Sequence, residues 1–262
     1  MSLTKVSYSM INGAPANVLD FGAVGDGVAD DTAAINAALQ SDSVVLLPQG
    51  TYKVTSQLIF GLSCGGLIGE GMYTSVISKS FNGNAILCDA NGAVMQNFGI
   101  VGNGATYTDG GIVPRGYNIT IQNCRITDTA DSCIKVAGAV GSNALAATYL
   151  NVDNCFLSPT NSTTTYSIRS ITPDDSTRPT DRSFNNISGG SSLIDFSGMN
   201  YATLSNSLGT NIKFDANCSK ICINNNRFTN AAASIVIYGN DHVIENNLWG
   251  FGSGYGLSLI HI

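Results

Sequence analysis

The sequence predicts an all-β protein, a single-stranded parallel β-helix (solenoid) with a short N-terminal capping α-helix. Three observations predict it. One phrase recurs down the chain: an apolar residue, any residue, then Asn. Its copies are Met95-Gln96-Asn97, Ile121-Gln122-Asn123, Val152-Asp153-Asn154, Phe184-Asn185-Asn186, Leu204-Ser205-Asn206, Ile223-Asn224-Asn225 and Ile244-Glu245-Asn246. Subtracting successive Asn numbers gives steps of 26, 31, 32, 20, 19 and 21, the period of a stacked repeat. Each unit also alternates apolar and polar residues over a few positions, as in Ile119-Thr120-Ile121 and Ile134-Lys135-Val136, which is strand periodicity. Finally, charged residues are only 11% and Gly numbers 29, a composition suited to many tight bends and few solvated helices.

The elements follow in order. Residues 1–16 read as a linker segment, and Met1-Ser2-Leu3-Thr4-Lys5 leads into polar sequence instead of the apolar core of a signal peptide. Residues 17–43 read as a cap strand and helix. Asn17-Val18-Leu19-Asp20-Phe21-Gly22 is a strand ending in a Gly turn, and Asp30-Asp31-Thr32 precedes the Ala-rich run 33–39. An Asp before such a run starts a helix, because its carboxylate caps free N–H groups. Ile35, Ala38 and Leu39 then share one face, and the helix should cover the open end of the first coil. Residues 44–256 form the β-helix, with room from Val44 onward for roughly eight to ten coils. Asn ends each short strand because it tolerates the left-handed backbone of a sharp bend. Stacked about 4.8 Å apart, equivalent Asn side chains should bond amide to amide.

Cap sequence carries the most specific resemblance. Val18-Leu19-Asp20-Phe21-Gly22-Ala23, with Asp30-Asp31-Thr32 and Pro48-Gln49-Gly50-Thr51-Tyr52, resembles the N-terminal unit of pectate-lyase-like right-handed β-helices. With Leu3-Thr4-Lys5-Val6-Ser7-Tyr8 in front, it most resembles phage tailspike and tail-fibre members. The resemblance implies a right-handed helix, a homotrimer and a place in the phage virion tail after synthesis in the bacterial cytoplasm; a secreted protein is the alternative. Asp20, Asp26, Asp30 and Asp31 read as turn and cap residues.

A solenoid has no single enclosed pocket, so function must lie on a lateral face. Glycosidic cleavage needs two carboxylates across a groove, one protonating the leaving oxygen and one activating water or attacking. Asp109 and Asp131 lie 22 residues apart by subtraction, about one coil, and parity with Ile112, Ile134 and Val136 turns Asp109, Asp131, Cys133 and Lys135 outward. Stacked one coil apart, one of the two carboxyls should have its pKa raised by the other's charge, as a general acid requires. The segment resembles the polygalacturonase family at Thr108-Asp109-Gly110 and Asp131-Ser132-Cys133-Ile134, and more loosely at Tyr166-Ser167-Ile168-Arg169. That resemblance implies catalytic Asp109 and Asp131, with the Tyr166–Arg169 segment binding substrate; Lys135, outward on the same strand as Asp131, is a further candidate for binding sugar. Departures are Tyr107 for the motif Asn, Ser132 for a second Asp and no Gly-His-Gly, since the only His residues are His242 and His261.

A second acidic pair competes. Asp131, Asp195 and Asp215 lie 8, 9 and 9 residues beyond their turn Asn by subtraction, and should line one sheet face with Lys213 beside Asp215. The long unit between Asn154 and Asn186 carries polar residues 158–165 and 172–179. These should form a loop walling the groove and offering Arg169 or Arg178 to acidic sugars.

Exclusions are broad. Net charge is −6 without a Lys/Arg cluster, which argues against nucleic acid and anionic membranes. No apolar stretch approaches the roughly 20 residues of a membrane span. Seven Cys lack metal-ligand spacing, and Cys124 and Cys155 follow equivalent turn Asn residues as small buried fillers. No linear calcium loop exists; Ca²⁺ belongs only to a lyase reading. The chain ends without a cap, and residues 257–262 match a translated transposon mosaic end, so they read as a sequencing artefact on a longer natural protein. The expected function is binding and carboxylate-mediated depolymerisation of a bacterial surface polysaccharide, by hydrolysis ahead of elimination. The alternatives are a non-enzymatic tail-fibre adhesin and a bacterial pectin-degrading hydrolase or lyase.

Overall fold

The structure, a computed structural model, describes residues 14–41, 43–136, 147–160, 165–171, 181–189, 193–209, 211–214, 218–228 and 241–249. A complete coil contributes one strand to each of three sheets. One full coil runs from Val94–Gln96 in sheet A through an Asn97 turn to Gly99–Val101 in sheet B. It then passes along an arc to Ile112–Pro114 in sheet C and round a corner back to sheet A at Thr120–Gln122. Among the described residues sheet A has ten strands, sheet B six and sheet C seven, all paired in parallel. Nine of the sheet A strands begin at Val44 or later, within the coil number expected. A fourth sheet of three strands follows the later Asn turns.

Register aligns the inward residues. Sheet A stacks Leu67, Met95, Ile121, Val152, Phe184, Leu204 and Ile223. Sheet B stacks Ile77, Ile100, Ile126 and Leu157. Sheet C stacks Ile86, Ile112, Ile134, Ile168, Ile194 and Ile212. These ladders meet in one continuous core. Each fully buried aliphatic side chain contributes about 1.5–3 kcal/mol, so the core is built from identical small increments.

The Asn turns are left-handed as their sequence requires, with φ between 50° and 60° at Asn97, Asn123, Asn154, Asn186, Asn206, Asn225 and Asn246. Asn123 Nδ2 donates to Asn97 Oδ1 (3.2 Å), Asn154 to Asn123 (2.6 Å) and Asn186 to Asn154 (2.8 Å). The ladder slips once: Asn206 donates to Asn185, one residue off, before Asn225 resumes it on Asn206. Directly after the turns, Cys124 and Cys155 are buried fillers, and no cysteine is bonded to another.

The cap differs in detail from the sequence reading. The α-helix Thr32–Leu39 buries Ile35, Ala38 and Leu39 as expected. Asp31, however, makes no capping bond to it. Asp31 turns back to accept from the Val24 and Gly25 amides, and Asp30 accepts from Thr32 N (3.1 Å) instead. Strands Ala16–Asn17 and Asp26–Asp30 already pair with sheets A and B, so the cap is itself a first coil. The helix takes the place of its sheet C strand. Asn36 accepts from Ile59 N (2.8 Å) and donates to Gln57 O (3.1 Å), and Gln40 donates to Ile59 O (2.9 Å). Side-chain amides thereby satisfy the edge strand Leu58–Phe60.

Candidate functional site

The outward residues of sheet C form one register row: Ile59, Leu87, Val113, Lys135, Arg169, Asp195 and Lys213. Three apolar residues give way to four charged ones along the same face. The change falls at Lys135, where the candidate residues gather.

Lys135 Nζ lies 2.9 Å from Asp109 Oδ1 and 2.9 Å from Asp131 Oδ2. Asp131 also accepts from the Arg169 guanidinium and from Ser132 Oγ (3.1 Å). The guanidinium sits 4.9 Å above the Tyr166 ring. Asp109 occupies a left-handed turn (φ 66°), and Thr108 Oγ1 donates to its second oxygen at 3.3 Å. Asp109, Asp131, Lys135, Tyr166 and Arg169, from three successive coils, therefore form one patch. The side chains of Asp109 and Arg169 are 43% and 39% exposed, whereas that of Lys135 is 11% exposed.

Electrostatics differ from the expectation of a bare carboxylate pair. The two acceptor oxygens are no farther apart than twice 2.9 Å, and an ammonium fills the gap. The Lys135 hydrogen bond holds the Asp109 carboxyl below its ordinary range, against the opposing effect of burial. A raised pKa from like-charge repulsion is thus replaced at Asp109 by a lowered one, because a cation stands between the charges.

Other expectations are corrected too. Cys133 points into the core, fully buried, with its thiol on Ile126 O (3.3 Å). Strand alternation breaks at the bend where Ser132–Val136 begins, and burial pushes the thiol up to about 12. Asp195 faces outward by register but is only 3% exposed, bonded by Lys213 (3.2 Å) and the Ser197 amide (2.9 Å). Asp131 and Asp195 do not share one acidic strip. Asp195 aligns with Arg169 and Lys213, four strand positions beyond the level of Asp131, because arcs of unequal length separate each turn Asn from sheet C. Asp215, the insertions 161–164 and 172–180 with Arg178, and the chain end from 250 lie outside the described residues.

Sequence reasoning missed Lys79. It is fully buried beneath the site, donating to Phe81 O (2.7 Å) and Thr108 O (2.8 Å), beside the Phe81 and Tyr107 rings. Burial pulls its pKa down. Its inward parity in Ser75–Lys79 was the available signal. Lys79 anchors the backbone immediately before Asp109.

Residues 16–235 match the rhamnogalacturonase A/epimerase, pectate lyase-like family. The chain belongs to this family. Its fold is the right-handed β-helix of the pectate lyase-like superfamily. Among curated relatives, the mannuronan C5-epimerase AlgE1 of Azotobacter vinelandii is 36% identical over 99 residues, which is 32% of this chain and 7% of AlgE1. Among solved structures, tailspike protein 2 of an Escherichia coli O157:H7 bacteriophage superposes with a TM-score of 0.62 at 15% identity, over 93% of this chain and 42% of the tailspike. Gene product 12 of bacteriophage phi29 gives 0.61 at 16%, over 87% and 34%. At such identities the two phage proteins share the fold with this member of the family.

Proposed function

We propose that this chain is a tailspike-type protein that binds a polysaccharide along the outer face of sheet C and cleaves it at the Asp109–Lys135–Asp131–Arg169 cluster. The observation that carries this reading is the convergence of four charged side chains from three coils on one open face. Membership of a family whose description names a rhamnogalacturonase and an epimerase supports a carbohydrate substrate.

The roles follow from the geometry. Asp109 stays ionised and half-exposed, so it activates water or attacks the anomeric carbon. Lys135, between the carboxylates, meets the negative charge that develops on the leaving oxygen, which takes its proton from water. Asp131 positions both cations, and Arg169 on Tyr166 binds sugar hydroxyls or an acidic group. A homotrimer in a phage tail belongs to the same reading. Light scattering of the purified chain tests it, and a monomer at micromolar concentration would remove the trimer.

A second reading is favoured by Lys135 and Arg169 standing beside an ionised Asp109. Such cations neutralise a uronate carboxylate while a base removes the proton on the adjacent carbon, giving elimination or epimerisation. Among the described residues no cluster of three or more acidic, His or Cys side chains is gathered to hold a metal ion, so no step is routed through calcium.

The test is a product assay on bacterial capsule, O-antigen, alginate and pectic polysaccharides. New reducing ends without ultraviolet absorbance of an unsaturated uronate mean hydrolysis. Reducing ends with that absorbance mean elimination. Deuterium uptake from heavy water without chain shortening means epimerisation. Binding without product leaves the adhesin and removes the catalytic roles.

A further inference from the structure

A second row of side chains lies at the corner where each coil passes from sheet C into sheet A. Sheet A register aligns Thr120, Asn151, Ser183, Thr203, Cys222 and Val243. Two residues before them stand Asn118, Tyr149, Asp181, Tyr201, Lys220 and Asp241. All six are left-handed, with φ of 57°, 53°, 37°, 53°, 53° and 61°. Asn suits that backbone, whereas Tyr and Lys do not. The later coils therefore place large side chains where a small one would be easier to hold, with Tyr149 and Lys220 exposed and Tyr201 half-buried. Strain of this kind points to a role for the side chain itself.

The row is also shaped. Asp181, Arg182, Ser183, Tyr201, Thr203 and Lys220 line a cleft of about 310 Å³, at the small end of ligand-site volumes and adequate for one sugar ring. Lys220 lies 4.5 Å above the Tyr201 ring, with Nζ 2.6 Å from its hydroxyl. That contact raises the lysine pKa and keeps it charged. Toward the N-terminus Tyr149, 40% exposed, meets Tyr117, 53% exposed, edge to face at 5.1 Å. Tyr149 and Tyr201 stand two coils apart, roughly 10 Å, the reach of two linked pyranose rings.

We propose that this corner is a second glycan-binding surface, distinct from the sheet C cluster, on which an extended pyranose chain lies along the solenoid axis. Tyr149 and Tyr201 stack on alternate sugar rings, with one ring between them. Asp181, Ser183, Thr203 and Lys220 bond hydroxyls and ring oxygens of the ring in the cleft. Among the described residues the cleft carries Asp181 against Lys220 and the buried Arg182, so hydroxyl hydrogen bonds and ring stacking, not net charge, hold the sugar. The inference rests on the reading of the chain as a polysaccharide binder, and one experiment scores the two separately.

Isotope-labelled full chain is titrated with neutral hexopyranose oligosaccharides of two to six rings and with oligomannuronate, followed by amide and side-chain chemical shifts. The expected result is perturbation at Tyr149, Tyr201 and Thr203, with affinity rising once the probe exceeds two rings. Tyr201→Asn should weaken binding there roughly tenfold while raising Tm, since Asn relieves the backbone. That pairing separates a lost contact from a damaged fold. Perturbation confined to Asp131 and Arg169 overturns the corner alone. Perturbation confined to the corner upholds it and removes the sheet C reading. Unchanged binding by Tyr201→Asn overturns it. No perturbation with any probe overturns both.

Discussion

At Asp131, one carboxylate accepts from Lys135, Arg169 and Ser132. Asp131→Asn removes the charge that holds two cations in place. It should lower cleavage by roughly 10²-fold or more while leaving folding and polysaccharide retention nearly intact. Retained cleavage in a reducing-end assay would take Asp131 out of the mechanism. Asp109 makes a pH prediction with a definite sign. Its folded pKa lies below the unfolded value of 3.8. Its stabilisation is therefore complete above that value and is lost as pH falls through the lower folded one. The stability difference between wild type and Asp109→Asn should stay constant down to about pH 4 and shrink below it in denaturant titrations. The acid limb of cleavage should lie there too. The αL turn residues respond differently. Asn123 donates to Asn97 and accepts from Asn154. Asn123→Ala should cost about 2–4 kcal/mol and Asn123→Gly about 1–2, because Gly restores the left-handed backbone but not the amide bonds. Equal urea midpoints for the two variants would remove the conformational share.

At the scale of elements, the cap helix is the piece whose role depends on polar atoms as much as apolar ones. Ile35, Ala38 and Leu39 close the core, while Asn36 and Gln40 replace the missing strand's hydrogen bonds. Asn36→Leu keeps the volume and strips the Ile59 amide and Gln57 carbonyl of partners. It should cost about 1–3 kcal/mol and speed hydrogen exchange at Ile59 selectively. Exchange unchanged at Ile59 would show that water serves as well as the amide. The helix, its buried face and the Asn turns were legible in the sequence, because periodicity and left-handed tolerance are local properties. The bonding of Asp31 to the Val24–Gly25 turn was not, since two adjacent aspartates present the same local signal and only the fold of residues 22–30 decides between them.

For the whole molecule, three inward ladders make one core, and the outward side chains of successive coils stack one coil rise apart. Six of the seven cysteines are buried and Cys222 is partly accessible. Burial pushes Cys88 and Cys133 up to about 12. Alkylation of the native protein should therefore label Cys222 first, with the others following only on unfolding. Early labelling of Cys124 or Cys155 would mean that the Asn-turn side of the core opens locally. The candidate site is likewise a property of the stack. Asp109, Lys135 and Arg169 are 26 and 34 residues apart by subtraction, and they meet because successive coils stack in register.

By itself, the sequence determined the repeat, the strand parity outside Cys133, the Asn turns and the capping helix. These follow from short-range periodicity, which holds although the repeat step varies; the grouping of Asp109, Asp131, Tyr166 and Arg169 came from the resemblance of their segments to the polygalacturonase family. Only the tertiary structure decided which charges neutralise one another. It set Lys135 between the two aspartates, buried Asp195 against Lys213, placed Lys79 under Thr108 and aligned the left-handed row from Asn118 to Asp241. The physical reason is register. Arc lengths vary from coil to coil, so the distance from a turn Asn does not set a residue's neighbour, whereas the hydrogen-bonded pairing of parallel strands does.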